Sequence, residues 1–223
     1  MGFWEKQGRS LSFVKTASRL HLTQHHFVTV DNALRSVKTA ANNSIINHAI
    51  TRNCELTLQL LYTHYEYLRS ILSEMFQQRP LQIVDKAQDS LQFQEILRLG
   101  TYEAVCDHMV DRVFRKLQNE SRSTNRLIER ILARTDAKMD AGILEDATWY
   151  IEIRRLIVHN PSIIDQQFEK KYSHKFKYVK SGNKLSINVG MAKRGINAVQ
   201  KLCAAIDHEL GSRGYIELTS KGG

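Results

Sequence analysis

Ala141-Gly-Ile-Leu-Glu-Asp-Ala-Thr-Trp-Tyr-Ile-Glu-Ile-Arg-Arg-Leu-Ile-Val-His-Asn-Pro161 is the stretch on which the reading of the chain turns. Leu144, Ala147, Ile151 and Val158 recur at helical spacing, which predicts an amphipathic helix. Pro161 disfavours helical geometry at Asn160, so His159 falls in the last turn, where the helix C-terminus favours a cation. Arg154 stands five residues before it. A guanidinium forks onto phosphate oxygens and keeps its charge at any ordinary pH. An imidazole carries or releases a proton near neutrality. Together they can grip a phosphodiester and move protons around it without a metal or a covalent nucleophile. In an unbroken helix the two side chains point roughly 140° apart, whereas Arg155 and His159 share a face. Three arrangements satisfy this: the helix loosens at its end, the two groups reach a ligand from different directions, or a second subunit supplies the missing group. The structural alternative is an exposed arginine pair with a capping histidine. Short spacings of this kind also arise by chance, and Arg19 precedes His25 and His26 in a similar way.

Outward from this helix, composition narrows the class. The chain has 223 residues, 42% hydrophobic and 25% charged, enough for one sizeable globular domain with appendages. Only 2 Pro and 11 Gly argue for long helices and few tight turns. No apolar run reaches the length of a membrane span. The first residues, Met1 to Lys6, lack an apolar signal core, which makes the cytoplasm the expected compartment. Cys54, Cys106 and Cys203 lie far apart without zinc-type spacing and read as buried thiols, so neither metal nor cofactor is expected. The formal net charge of +9 favours a polyanionic partner, although a basic surface also serves solubility.

Residues 1–30 read as a basic leader, irregular or weakly helical, holding Arg9, Lys15, Arg19 and the cluster His21, His25, His26. From Asp31, a candidate cap, the chain reads as helix almost throughout to Gln78. Its apolar stripe includes Ile46, Leu68, Ile71, Leu72 and Met75, with Tyr62, Tyr65 and Tyr67 interleaved as core or interface aromatics. A short helix from Leu91 to Leu99 stops at Gly100, and Thr101 caps the next, with Met109, Val113, Phe114 and Leu117 apolar. After a polar break over Ser121 to Asn125, Leu127, Ile128, Ile131 and Leu132 carry another helix. Beyond Pro161, Lys170, Lys171, Lys175, Lys177 and Lys180 alternate with Tyr172, Phe176 and Tyr178. Ser181-Gly-Asn is a turn signal between two runs of period two, which predicts a small β-hairpin. Basic and aromatic residues together suit single-stranded RNA, and an amphipathic edge hairpin explains them equally. A last helix runs from Ile196 to Leu210 and ends at Gly211, followed by a flexible tail over 212–223. Neither a phosphate-binding Gly-rich loop nor a Gly-x-Ser-x-Gly elbow is present.

The segment Ile153-Arg-Arg-Leu-Ile-Val-His-Asn-Pro-Ser-Ile-Ile-Asp165, near the end of a late helix, resembles the motif region of bacterial stand-alone proteins of the HEPN superfamily (higher-eukaryote and prokaryote nucleotide-binding domain). The likeness extends over residues 31–211, with about a dozen residues specific to it by the standard of such motifs. It implies a mainly α, HEPN-like antiparallel helical bundle, with a long N-terminal helix and the small hairpin between its last two helices. It implies a homodimer with motif helices facing each other across the interface. It further implies a metal-independent endoribonuclease that cleaves single-stranded RNA and leaves a 2′,3′-cyclic phosphate, acting as a toxin or in phage defence. An antitoxin or a nucleotidyltransferase is the partner such proteins suggest. Other members are inactive dimerisation or nucleotide/RNA-binding modules. Arg155 departs from the small polar residue usual after the motif arginine; it either adds grip on phosphate or marks a divergent site.

The catalytic candidates are therefore Arg154 and His159, with Arg155, Asn160, Lys175 and Lys177 as substrate-binding candidates and no metal ligand. Asp146 and Glu152, on the same helix, could orient an arginine, but surface ion pairing is the commoner use. A basic DNA-binding protein is the weakest reading, since no short helix-turn-helix with a polar recognition face is visible.

Overall fold

The computed structural model describes residues 8–80, 90–121, 123–160, 162–174 and 178–218. Among these the chain is helical: α1 (Leu11–Ser36), α2 (Asn43–Leu60), α3 (Thr63–Gln78), α4 (Phe93–Leu99), α5 (Tyr102–Glu120), α6 (Thr124–Ala133), α7 (Ala141–His159), α8 (Gln166–Tyr172) and α9 (Val189–Ser212). No strand occurs among the described residues, and none of their helices is long and apolar enough to cross a membrane. The mainly α class expected from the sequence is what the structure has. The residues fall into two compact units. One takes the described parts of Met1–Thr16, His64–Leu144 and Leu202–Gly223; the other takes Ala17–Thr63 and Glu145–Lys201.

In the first unit, α3, α5, α6 and the end of α9 supply the apolar core. Leu68, Ile71, Leu72 and Met75 of α3 are buried at the three- and four-residue spacing that faces one side of a helix. Val113 and Leu117 of α5, Ile128 and Ile131 of α6, and Ile206 and Leu210 of α9 are buried likewise. Each such side chain contributes about 1.5–3 kcal/mol when taken out of water. Gly100 ends α4 at φ 74°, and the Thr101 hydroxyl accepts the Ala104 N–H at 3.2 Å to start α5, as the sequence signals require. Ser123 accepts from the Arg126 N–H and starts α6.

A polar cluster ties residues near the N-terminus to this core. The Ser10 hydroxyl accepts the Phe13 N–H at 3.0 Å and caps α1. Its backbone N–H donates to the Asp207 carboxylate, and Arg9 lies 3.6 Å from the same group while donating to the Ala204 carbonyl. Asp207 is fully buried. Burial pushes its carboxyl above the usual carboxylate range, against the opposing pull of the Ser10 hydrogen bonds and Arg9. Tyr67 donates its hydroxyl proton to the Cys203 carbonyl at 2.9 Å.

In the second unit, α7 runs along buried side chains from α2, α8 and α9. Trp149, Phe168 and Tyr172 form an aromatic cluster with each pair of ring centroids 4.9 Å apart. Gly195 of α9 lies where neighbouring side chains leave no room for a Cβ. A Cβ there would sit 2.9 Å from Leu58 and 3.2 Å from Tyr150. Asn53 donates to the Phe27 carbonyl at 3.2 Å and so joins α2 to α1.

Five expectations need correction. The segment expected as a basic leader is a helix from Leu11 onward, with Leu20 and Phe27 buried. Asp31 does not cap a helix start but lies inside α1 and pairs with Arg35 four residues on at 3.0 Å. The helix expected from there to Gln78 is interrupted twice. Asn42 closes the first break by accepting the Thr39 N–H and donating to the Val37 carbonyl, and Leu61 and Tyr62 form the second. In the expected hairpin region the turn exists, with Gly182 at φ 83°, and the alternation persists, with Leu185 and Ile187 buried. Its backbone partner, however, is the segment after α7. Ile164 and Gly182 donate to Asn183 and Ile164 carbonyls, Leu185 donates to Ser162, and Ile163 forms one antiparallel bridge with Lys184. The last helix runs to Ser212 rather than stopping at Gly211. Gly214 takes the left-handed conformation, the Tyr215 N–H reaches the Leu210 carbonyl, and Ile216 is buried.

Candidate functional site

The motif lies in the second unit. Asp140 accepts the Ile143 N–H at 2.9 Å and starts α7. Leu144, Ala147, Trp149, Ile151, Ile153 and Leu156 are buried, so the helix is apolar on more than one side. Val158, expected on the buried side, is 46% exposed. The helix stays intact through His159. Arg154 and His159 therefore leave it roughly 140° apart, which removes a loosened helix end as the way to bring them together.

Arg154 is half-buried, and its guanidinium carbon lies 4.8 Å from the centre of the Tyr62 ring. Its Nε is buried with no hydrogen-bond partner. An arginine with an unfilled donor stacked on a partly exposed tyrosine presents its remaining donors for an anion. His159 is exposed at the end of α7. Arg155 is held differently: Nη2 is 2.9 Å from Asp165 Oδ2, and Asp165 also caps α8 by accepting the Phe168 N–H at 2.7 Å. This pair leaves Arg155 fewer donors for a phosphate. Asn160 spends its amide on the turn, donating to the Ile163 carbonyl at 2.8 Å. Glu152 pairs with Lys171. Lys175 and Lys177 lie outside the described residues.

Beyond Asn160 the chain doubles back sharply. Ser162 sits at φ 63°, a conformation that costs a non-glycine residue energy, and is buried. Its N–H and that of Asn160 both reach the Leu156 carbonyl. A pocket of about 340 Å³ opens beside this turn, lined by His48, Thr51, Arg52, Glu55, Ile157, Ser162 and Lys184. Sequence reasoning missed these residues. The available signal was His48 and Arg52, four apart on one face of α2; Lys184 gave none, because only the turn geometry brings it here. Among the described residues no group of three His, Cys, Asp or Glu comes together as a metal site.

No family model, curated protein or solved structure matches the chain.

Proposed function

We propose that the protein is a metal-independent endoribonuclease of the HEPN type, with a HEPN-like helical bundle, that cleaves single-stranded RNA and acts as a toxin or phage-defence effector. The observation that carries this reading is the pairing of an exposed His159 with an under-bonded Arg154 on one unbroken helix. Because the two groups diverge on that helix, a second copy of the chain completes the site, with motif helices facing across a homodimer. The apolar side chains near the motif favour such a surface: Val158 and Ile163 flank His159 and are 46% and 40% exposed, and Tyr62 beneath Arg154 is 44% exposed.

In this scheme the ribose 2′-oxygen attacks the adjacent phosphorus, and the bond to the departing 5′-oxygen breaks in line. One His159 accepts the 2′-hydroxyl proton and the partner copy's histidine gives a proton to the 5′-oxygen, leaving a 2′,3′-cyclic phosphate. Arg154 neutralises charge that grows on the phosphoryl oxygens. Arg155 and Asn160, with Lys175 and Lys177, hold neighbouring parts of the RNA. An antitoxin or nucleotidyltransferase keeps the nuclease silent. The test is incubation of wild type and the Arg154→Ala/His159→Ala variant with end-labelled single-stranded RNA in EDTA. Cleavage by wild type alone, with cyclic-phosphate ends, is expected; equal cleavage by both overturns the assignment.

A second reading, a non-catalytic dimerisation or binding module, is favoured by one feature. Arg155 and Asn160 are already bonded within the chain, to Asp165 and Ile163. A folded dimer that leaves several RNAs intact would select it.

A further inference from the structure

We infer that the pocket formed by His48, Arg52 and Lys184 is a binding site for a terminal phosphate monoester, carried by a free nucleotide or by the 5′-end of an RNA. This goes beyond the cleavage reading and does not depend on it. Four segments build the pocket: one face of α2, the end of α7 at Ile157, and the two bridged segments at Ser162 and Lys184. Arg52 and Lys184 are exposed cations, and His48, four residues before Arg52, offers a third nitrogen donor group. The one carboxylate in the lining, Glu55, is engaged by Arg52 through Nη1 at 2.7 Å. That contact fixes the guanidinium and leaves its other donors for an anion. With one acid against two permanent cations, the lining is net positive.

Size and form choose among anions. At about 340 Å³ the space is at the small end of ligand sites and suits one nucleotide unit. An internal phosphodiester needs chain leaving on both sides, and an open track serves it better than a pocket. A terminal monoester carries close to two negative charges at neutral pH, which matches clustered donors. Ile157 supplies an apolar wall for the attached nucleoside. The site is held in shape by the Leu185-to-Ser162 hydrogen bond of 2.7 Å and the Ile163–Lys184 bridge, which fix Lys184 against the turn.

The test is calorimetric titration of the full chain in EDTA with adenosine 5′-monophosphate and with adenosine. The monophosphate should bind once per chain and at least tenfold more tightly than adenosine. Arg52→Gln/Lys184→Gln should weaken it at least tenfold with an unchanged helical spectrum, whereas Lys184→Arg should retain it. Equal binding of adenosine and its monophosphate, or equal binding by wild type and the double glutamine variant, overturns the site. The source is read with octanucleotide RNAs on His159→Ala, which blocks the proposed cleavage. Tighter binding of the 5′-phosphorylated octamer than of its 5′-hydroxyl form assigns an RNA end. No preference between the octamers, with the monophosphate still bound, assigns a free nucleotide. Loss of RNA cleavage in EDTA bears on the nuclease reading alone, because this binding is measured without turnover.

Discussion

Arg9 and Arg154 both lie 4.8 Å from an aromatic ring centre, over Phe13 and Tyr62 respectively, yet their surroundings differ in kind. Arg9 is buried, faces the Asp207 carboxylate and donates to the Ala204 carbonyl. Its charge is answered within the fold. Arg154 is only half-buried, its Nε has no acceptor, and an exposed histidine ends the same helix. The first unit spends a buried charge on joining residues 9 and 10 to α9. The second leaves a buried guanidinium nitrogen without an acceptor on a half-buried side chain. Buried and paired groups are normally structural, whereas a buried polar atom left without a partner calls for an explanation, and ligand chemistry is one.

This contrast can be broken or sharpened by substitution. The largest effect is expected at His159. His159→Ala should lower RNA cleavage by about 10² to 10⁴, with thermal unfolding unchanged; a melting temperature that falls as far as the activity would make His159 structural. Next is the Arg9 pair. Arg9→Ala should destabilise the first unit by about 3–5 kcal/mol in urea titrations, because it strands a buried carboxylate. Arg154→Ala should be nearly neutral by the same measurement, and equal losses at the two arginines would erase the distinction. Gly195→Val should cost about 1–3 kcal/mol through crowding against Leu58 and Tyr150, detected as earlier unfolding of the second unit.

A smaller effect lies in pH dependence. Asp207 titrates above its unfolded value, so the folded state holds the extra proton between the two values. Its contribution is fully present below the unfolded pKa of about 4 and is lost as pH rises through the raised folded value. Asp207→Asn should flatten the fall of stability with pH over that window, while His159→Ala should leave the slope there unchanged. The smallest change is Asp165→Ala. Loss of its cap should cost about 1 kcal/mol and release Arg155, so RNA affinity should rise slightly as stability falls; a drop in both would show that the Arg155–Asp165 pair shapes the site.

What could be read from the sequence followed local rules. The buried positions of α3 and α5, the Thr101 cap, the Gly100 stop and the end of α7 at His159 all depend on residues within one or two turns of each other. α1 could not be read in this way. Its apolar anchors, Leu20 and Phe27, are sparse, and its start is held by Ser10 and by Asp207, nearly two hundred residues away. The breaks around Asn42 and Leu61 were concealed by a nearly continuous apolar stripe, although the Asn42-Asn43 pair was a turn signal. The alternation after Gly182 is matched by the burial of Leu185 and Ile187, but no strand forms there among the described residues. Alternation carries no information about the partner strand, and the partner was the Ser162–Ile164 segment. The candidate catalytic pair was visible because it is contiguous. The His48, Arg52 and Lys184 pocket was not, because it assembles from distant segments.

The three cysteines are all buried and unpaired, with Cys54 in the second unit and Cys106 and Cys203 in the first. Burial also pushes the Cys54 thiol up to about 11 and the Cys203 thiol further, so the reactive thiolate is scarce in the native fold. A thiol reagent should therefore modify each sulfur only when its surroundings transiently open. The chain carries a built-in clock for each unit: the labelling rate at Cys54 against that at Cys203 would time their openings separately, with no engineered probe.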